Sequence, residues 1–159
     1  MNYFKLFNFP QKFKIDIKQL SLQFYKLQKI YHPDVHENCL ESKNKDYYKH
    51  SININKGYHI LKDPLKRAKH LLLLNSFNFN NEQKNLSNEK FIYEQLKLFE
   101  TLEMLKNNIQ KKKELKLFLH KIEQKKKSCF IELEFMFDKE EWQLAAMILY
   151  KLLFYEKLT

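Results

Sequence analysis

The sequence has very few of the residues that form tight turns in sheet proteins. It contains one glycine and three prolines in 159 residues. Sheet-rich folds normally use more glycine in their turns and bulges. Strong helix formers such as leucine, lysine, glutamate and glutamine are frequent instead. The composition therefore predicts an all-α protein, and a hydrophobic content of 44% is enough to build a core.

Cysteine is also scarce, and the few metal-binding side chains are scattered. Cys39 and Cys129 are the two cysteines, too far apart to form a C-x-x-C motif. The sequence therefore gives neither a zinc signature nor a disulfide framework, and it suits a reducing compartment. Five histidines without metal-ligand spacing are interpreted as structural or exposed: His36, His50, His59, His70 and His120. We expect no metal and no cofactor.

Long apolar segments are absent as well. The longest aliphatic run covers residues 71–74 and is far too short to span a bilayer. Residues 1–5 do not show the charged region and apolar stretch of a signal peptide. We therefore expect a cytoplasmic protein that does not bind a membrane.

Positive charge is abundant and is concentrated in the first half of the chain. The formal net charge is +10, and residues 1–75 hold 14 basic against 6 acidic side chains, whereas residues 76–159 hold 15 against 13. A basic half favours an acidic partner, either a protein surface or a nucleic acid. The lysine runs 111–113 and 125–127 are most simply solvated helix faces, without the interleaved aromatics of a nucleic-acid site. We predict no nucleic-acid partner, although a basic helical nucleic-acid binder remains an alternative.

The first half predicts a long helix that ends at a proline. Asp16 has the position of an N-cap, and Gln19 three residues later completes a capping box. The apolar positions that follow recur at steps of four, three and four residues: Leu20, Phe24, Leu27 and Tyr31. Pro33 ends the helix, because a residue that precedes proline avoids helical backbone angles. His32, Pro33 and Asp34 are therefore predicted in a loop directly after the helix.

A second long helix is predicted over residues 41–61. One of its faces carries residues at steps of four and three: Tyr47, Ser51, Ile54, Tyr58 and Leu61. Gly57 in its interior should cost about 1 kcal/mol relative to alanine. Asp63 can cap a short further helix that begins at Pro64 and continues through Leu74, since proline suits the first helical position.

The remaining chain predicts a linker and three further helices. Residues 76–88 are polar and rich in asparagine, which is typical of a linker. Helices are predicted over residues 89–109 and 112–137, and a capping box formed by Asp138 and Glu141 opens the last one. The core positions expected on the first of these helices are Phe91, Leu98, Leu102, Leu105 and Ile109. Helices joined by short connections predict an antiparallel three-helix bundle.

The sequence Tyr31-His32-Pro33-Asp34, between a basic amphipathic helix and a second helix, resembles a J-domain. Further fragments extend the resemblance in order and spacing: Tyr3-Phe4-Lys5-Leu6-Phe7, Leu20-Ser21-Leu22-Gln23-Phe24, Ile54-Asn55, Leu61-Lys62-Asp63-Pro64-Leu65, Arg67-Ala68, Leu71-Leu72, Phe91 with Glu94-Gln95-Leu96, Lys151-Leu152-Leu153-Phe154 and Lys157-Leu158. Together they resemble the HscB family, the J-type co-chaperones of bacterial iron–sulfur cluster assembly.

The resemblance implies a fold and a function for each part of the chain. Residues 1–75 would form a J-domain that binds the DnaK-type chaperone HscA and stimulates its ATPase. After the linker, residues 89–159 would form a bundle that binds the iron–sulfur scaffold IscU and thereby delivers it to the chaperone. The protein would not be an enzyme, and we expect a monomer in the bacterial cytoplasm. A J-protein of another pathway, with a different client, is the alternative.

The residues expected to contact the chaperone lie in and before the motif: Lys26, Lys29, His32, Pro33 and Asp34. Proline restricts the loop to one shape, and Asp34 offers a carboxylate to a cation on the partner. His32 can donate or accept a hydrogen bond. An ordinary turn is the alternative interpretation, and a catalytic dyad is less favoured because no nucleophile motif accompanies it. Val35 stands where the family commonly has lysine.

The residues expected to contact the scaffold follow from the resemblance: Ile92, Tyr93, Leu96, Glu100 and Phe154. At 100° per residue, Ile92, Leu96 and Phe99 cluster roughly 110° away from the core positions of the same helix. The cluster is either a partner-binding patch or the second edge of a wide core stripe. Lys97 and Met104 stand where the family has acidic residues.

Overall fold

The computed structural model describes residues 1–36, 41–79, 82 and 88–159. Every regular element in this part of the chain is a helix, and it contains no strand, which confirms the all-α prediction. The chain divides into two compact units, Met1–Leu74 and Asn75–Thr159. The assignment of binding roles to these two parts stays a proposal.

The first unit is built on a helical hairpin. Its elements are α1 (Tyr3–Leu6), α2 (Ile17–Tyr31), a 3₁₀ turn (Pro33–His36), α3 (Glu41–Lys62) and α4 (Pro64–Leu74). Helices α2 and α3 form the hairpin, and α1 and α4 both pack against α3. Helices α2, α3 and α4 thus lie close to their predicted positions.

Asp16 begins α2 as predicted. Its carboxylate accepts hydrogen bonds from the backbone N–H groups of Lys18 at 2.8 Å and Gln19 at 3.2 Å, which would otherwise lack a partner. Leu20 is fully buried. Tyr31 is the last helical residue, and His32 has extended backbone angles, φ −64° and ψ 134°. The proline therefore ends the helix at the predicted place.

Polar and aromatic contacts fix the register of the hairpin. The rings of Phe24 and Tyr58 stack with their centroids 4.1 Å apart. The hydroxyl of Tyr58 lies 3.1 Å from that of Ser21, and this hydrogen bond lowers the pKa of Tyr58. One turn further along, the amide of Gln28 donates to Asn55 Oδ1 at 2.7 Å.

The packing of α3 requires glycine at position 57, in addition to the low helix propensity of this residue. A Cβ at this position would lie 2.6 Å from Tyr3 Cδ1 and 2.9 Å from Phe7 Cε2. Both rings belong to the buried first segment, and Phe7 is almost completely inaccessible. The expectation that glycine only costs stability here is therefore incomplete, because α1 approaches the α3 backbone too closely for a side chain.

Two buried basic side chains connect distant segments of the first unit. Arg67 donates from Nε to the carbonyl of Phe13 and from Nη1 to the carbonyl of Leu61, both at 2.6 Å. His70 accepts a hydrogen bond at Nε2 from the backbone N–H of Tyr3 at 3.3 Å. Burial lowers the pKa of His70, and the positive N-terminus lowers it further. His70 is therefore structural, as the sequence suggested.

The second unit contains the predicted three helices. They are α5 (Glu89–Lys106), α6 (Lys112–Asp138) and α7 (Trp142–Leu158), with a 3₁₀ turn at Ile109–Lys111. Helix α5 packs against both α6 and α7, which form the most extensive pair. Residues buried from all three helices make the core: Phe91, Leu102, Leu105, Ile122, Leu133, Phe137, Ala145, Leu149 and Leu152.

The predicted linker is only partly described. Phe77 and Phe79 within it are buried, so the first part of this segment packs instead of lying in solvent. Residues 80, 81 and 83–87 lie outside the described part of the chain. Cys39 lies outside it as well.

Two boundary predictions in this unit are wrong. Helix α5 ends at Lys106, and Ile109 lies beyond it in the 3₁₀ turn with 81% of its surface exposed, so it is not a core residue. Asp138 is the last residue of α6, not a cap of α7. The turn uses a positive φ of 58° at Glu140, and α7 begins after Glu141 without a side-chain cap. Helix α6 thus ends one residue after the predicted end, and Phe137 is buried as a core residue.

The lysine run 125–127 was predicted to lie on a solvated helix face, but its middle residue does not. Lys126 is buried, and its ammonium lies 3.0 Å from Glu156 and 3.2 Å from Glu123. It also donates to the Thr159 hydroxyl at 3.3 Å. Burial lowers the pKa of Lys126, but the two carboxylates raise it by more, so the net pKa is raised. The ion pairs connect the end of α7 to the middle of α6.

Candidate functional site

The His32-Pro33-Asp34 motif lies at the exposed end of the hairpin. His32 is the C-cap of α2, while Pro33 and Asp34 begin a 3₁₀ turn, so the motif is more regular than the predicted loop. The Asp34 side chain is 77% exposed and that of His32 is 49% exposed. Val35, which follows, is exposed too. The motif is therefore open to a partner and is not part of an enclosed site.

Hydrogen bonds within the motif set the role of each group. The backbone N–H of Asp34 donates to His32 Nδ1 at 3.3 Å. This contact makes Nδ1 an acceptor, which places the proton of a neutral imidazole on Nε2. The Asp34 carboxylate lies 3.6 Å from Nδ1. The carboxylate and the Nε2–H group are thus both available to a partner, with the proline fixing the backbone between them.

The exposed face of α2 leads up to the motif. Lys26 and Lys29 are both exposed on it, as predicted from the sequence. Leu22 and Tyr25 are exposed on the same face, opposite the buried Leu20. The sequence prediction considered only the lysines, although the 3.6-residue period places these two side chains beside them. The face therefore combines positive charge with apolar surface.

A second exposed patch lies on α5 in the other unit. Ile92, Leu96 and Phe99 are each about half exposed, whereas Phe91, Leu102 and Leu105, roughly 110° away around the helix, are buried. The interpretation of these three residues as the edge of a wide core stripe is therefore wrong. An apolar cluster of this kind on a protein surface is typical of a binding site. Whether a scaffold protein binds here stays a proposal.

The other residues predicted for the patch have different surroundings. Tyr93 and Glu100 are exposed on α5. Phe154 on α7 is only partly accessible, and its ring meets the Phe91 ring edge-on at 6.0 Å. The ammonium of Lys97 lies 4.6 Å from the centre of the Tyr93 ring, in a cation–π contact. Lys97 therefore covers one end of the patch with a positive charge.

A polar contact holds α5 in place beside this patch. Glu94 accepts a hydrogen bond from Lys125 at 3.0 Å and another from the Tyr155 hydroxyl at 3.4 Å. The bond from Lys125 is the main cause that lowers the pKa of Glu94. Burial and the neighbouring carboxylate raise the pKa of Tyr155 well above its ordinary value. Lys125 is therefore a structural residue and not part of a free basic run.

Metal-binding side chains do not converge in the described ranges. Among the residues with defined positions, no three His, Cys, Asp or Glu side chains converge on a metal-sized site. An open pocket of about 340 Å³ between α6 and α7 is lined in part by Cys129, and burial raises the pKa of the Cys129 thiol. A thiol with a raised pKa is a poor nucleophile and metal ligand. No helix in the described part of the chain has the length and apolar content to cross a bilayer.

Comparisons with known proteins agree with the fold and with the family resemblance. A family model described as the HSCB C-terminal oligomerisation domain matches residues 87–159. The co-chaperone protein HscB of Buchnera aphidicola is 43% identical over 158 residues, which are 99% of this chain and 91% of that protein.

Two solved structures are similar over nearly the whole of this chain. The chaperone HscB from Vibrio cholerae superposes with a TM-score of 0.87 at 34% identity, covering 99% of this chain and 93% of that one. Human co-chaperone protein HscB superposes with a TM-score of 0.84, covering 99% of this chain and 78% of the human chain. At 22% identity, this similarity shows the fold alone. Because the sequence identity extends over almost the full length of both bacterial relatives, the chain belongs to the HscB family of co-chaperones.

Proposed function

We propose that this protein stimulates the ATPase of the DnaK-type chaperone HscA and delivers the iron–sulfur scaffold IscU to it. The exposed His32-Pro33-Asp34 motif at the end of the basic helix α2 is the observation that carries the proposal. The protein would act only by binding, without chemistry of its own. The bacterial cytoplasm, where these partners would be found, stays the expected location.

Chaperone docking would use the motif together with the exposed face of α2. Lys26 and Lys29 would approach an acidic surface and raise the association rate more than the final affinity. Asp34 would then form a charge-assisted hydrogen bond with a cation on the chaperone. Leu22 and Tyr25 add apolar contact area beside the lysines.

Scaffold binding would use the apolar patch on α5. Ile92 and Leu96 would lose their exposed surface to the partner, and Tyr93 and Glu100 would lie at the edge of the contact. Phe154 would contribute mainly by supporting Phe91, since its ring is already partly covered. The contact of Lys97 with Tyr93 favours a partner whose facing surface is neutral or acidic.

A steady-state ATPase assay tests both halves of this proposal. The rates to compare are those of HscA alone, HscA with this protein, and HscA with this protein and the cognate IscU. We expect stimulation in the second condition and a further increase in the third. No stimulation in either condition would contradict the proposal.

A J-protein that serves another client is the second candidate, and the positive charge of Lys97 on the patch favours it. Calorimetric titration of IscU into this protein separates the two. Binding that is lost on Leu96→Ala supports the scaffold role, whereas ATPase stimulation without any IscU binding supports the other client. The sequence expectation of a monomer also stays a prediction.

A further inference from the structure

The pocket between α6 and α7 is open to the surface and has a volume of about 340 Å³. Helix α7 contributes Lys151 and Tyr155, which are one turn apart. Helix α6 contributes side chains that follow one another at helical spacing: Lys125, Ser128, Cys129 and Glu132. The volume falls within the range of small-molecule sites, roughly 300–1,000 Å³. The pocket therefore offers a small ligand both hydrogen-bonding groups and apolar surface from rings and side-chain stems.

Some of the polar groups in this pocket are already bonded to α5. The Lys125 ammonium and the Tyr155 hydroxyl both donate to the Glu94 carboxylate, at 3.0 Å and 3.4 Å. The ammonium of Lys125 also lies 5.7 Å from the centre of the Tyr155 ring. The positive charge of Lys125 is therefore balanced within the protein.

Two opposite charges in the pocket have no such partner among the described residues. The Lys151 ammonium lies 5.5 Å from the centre of the Phe91 ring, and no carboxylate in that part of the chain is within ion-pair distance of it. Glu132 is exposed and likewise has no cation at ion-pair distance within the described ranges. Lys151 and Glu132 thus line the same pocket without bonding to each other.

Both of these charges lie close to the same buried thiol. Burial is the main cause that raises the pKa of Cys129, Glu132 raises it further, and Lys151 lowers it. Electrostatic effects of this kind weaken with distance, so Lys151 and Glu132 are both neighbours of the thiol. Because the pKa is raised overall, the thiol is neutral at pH 7 and competes for neither charge.

We propose that this pocket binds a small zwitterion of the α-amino-acid class. The carboxylate of the ligand would accept a hydrogen bond from the Lys151 ammonium, and its ammonium would donate to the Glu132 carboxylate, both with charge assistance. The Ser128 hydroxyl can donate to the carboxylate or accept from the ammonium. The ligand side chain would lie against Cys129 and the Tyr155 ring. A simple anion fits less well because Glu132 repels it, and a simple cation is repelled by Lys151.

Protein-detected NMR titration of the full chain with the common L-amino acids, one at a time, tests the proposal. We expect at least one of them to bind with a dissociation constant below about 1 mM. Its deaminated and decarboxylated analogues (for phenylalanine, phenylpropionate and phenylethylamine) should each bind at least about tenfold more weakly, because each loses one charge-assisted bond. Absence of binding by every amino acid would overturn the proposal. Equal binding of the deaminated analogue would indicate a simple anion site and would also overturn it.

Substitutions place the ligand in the pocket. Lys151→Met and Glu132→Gln should each weaken binding at least about tenfold, with an unchanged circular dichroism spectrum. Lys157→Met and Glu103→Gln, which change exposed charges outside the pocket, should bind like the wild type. Binding that is unaffected in both pocket variants would overturn the proposal.

Protection of the thiol gives a second test of location. A saturating amino acid should slow the alkylation of Cys129 by iodoacetamide, because the ligand would cover the thiol. Mass spectrometry of the peptide that contains Cys129 measures the rate separately from that of Cys39. An unchanged rate in the presence of a bound amino acid would place the ligand elsewhere and would overturn the proposal.

Discussion

Replacement of Gly57 by alanine should destabilise the protein, against the usual preference of helices for alanine. Alanine in a helix interior is favoured over glycine by about 1 kcal/mol. The added Cβ would lie 2.6 Å from Tyr3 and 2.9 Å from Phe7, closer than real Cβ contacts. Overpacking of this kind costs roughly 1–3 kcal/mol, and both rings are buried and cannot move away freely. The expected net loss is therefore about 1 kcal/mol.

Urea denaturation at 25 °C followed by circular dichroism measures this loss. Lys56→Ala is the matched control, because Lys56 is exposed and adjacent to Gly57, and lysine and alanine have similar helix propensities. This control should change the free energy of unfolding by no more than about 0.5 kcal/mol. In a Tyr3→Ala background the closest clash is absent, so Gly57→Ala should cost less or become stabilising. A Gly57→Ala variant that is about 1 kcal/mol more stable than the wild type would refute the argument from close packing.

Three further substitutions or conditions test other parts of the structure. Lys126→Ala should lower the free energy of unfolding by about 1–3 kcal/mol, because it leaves the Glu156 carboxylate without its cation, and urea denaturation measures this loss. Burial lowers the pKa of His70 in the folded state below the value of about 6.5 that histidine has in the unfolded chain. The neutral His70 side chain therefore contributes fully to the free energy of unfolding above about pH 6.5, and this contribution is lost as the pH falls below about 6.5. Denaturation at a series of pH values should show this loss in the wild type and a smaller one in His70→Gln. Leu96→Ala should weaken scaffold binding at least about tenfold in calorimetry, whereas Leu73→Ala, equally exposed at 58%, should not.

The starts of α2 and α4 and the position of the motif were predictable because they depend on local chemistry. Asp16 and Asp63 cap helices through backbone N–H groups two and three residues away. Pro33 ends α2 through its own ring. These interactions span only a few residues, so the sequence alone determines them.

The features that sequence reasoning missed depend on residues far apart in the chain. Gly57 is constrained by Tyr3, and Lys126 is buried because Glu156 on another helix lies beside it. Asp138 has the pattern of an N-cap, but it lies inside α6 as its last residue, one position after the buried Phe137. At Gly57 and Lys126 a tertiary contact prevails over a local preference.

The α5 patch falls between these two cases. The helical period indicated a second apolar direction on α5, but it left open whether Ile92 and Leu96 were covered by a neighbouring helix. Only the positions of α6 and α7 show that these side chains remain exposed. The partner that binds them is a matter for experiment.

Stimulation of HscA by the Asp34→Asn variant is the most direct test of the central claim. The substitution keeps the size of the side chain and its exposed position but removes the charge that would bond to the chaperone. We expect the stimulated ATPase rate to fall at least about tenfold towards that of HscA alone, since a charge-assisted hydrogen bond contributes roughly 1.5–3 kcal/mol. Asp46→Asn, an exposed aspartate on α3, should stimulate like the wild type. Full stimulation by Asp34→Asn, with an unchanged circular dichroism spectrum, would contradict the account.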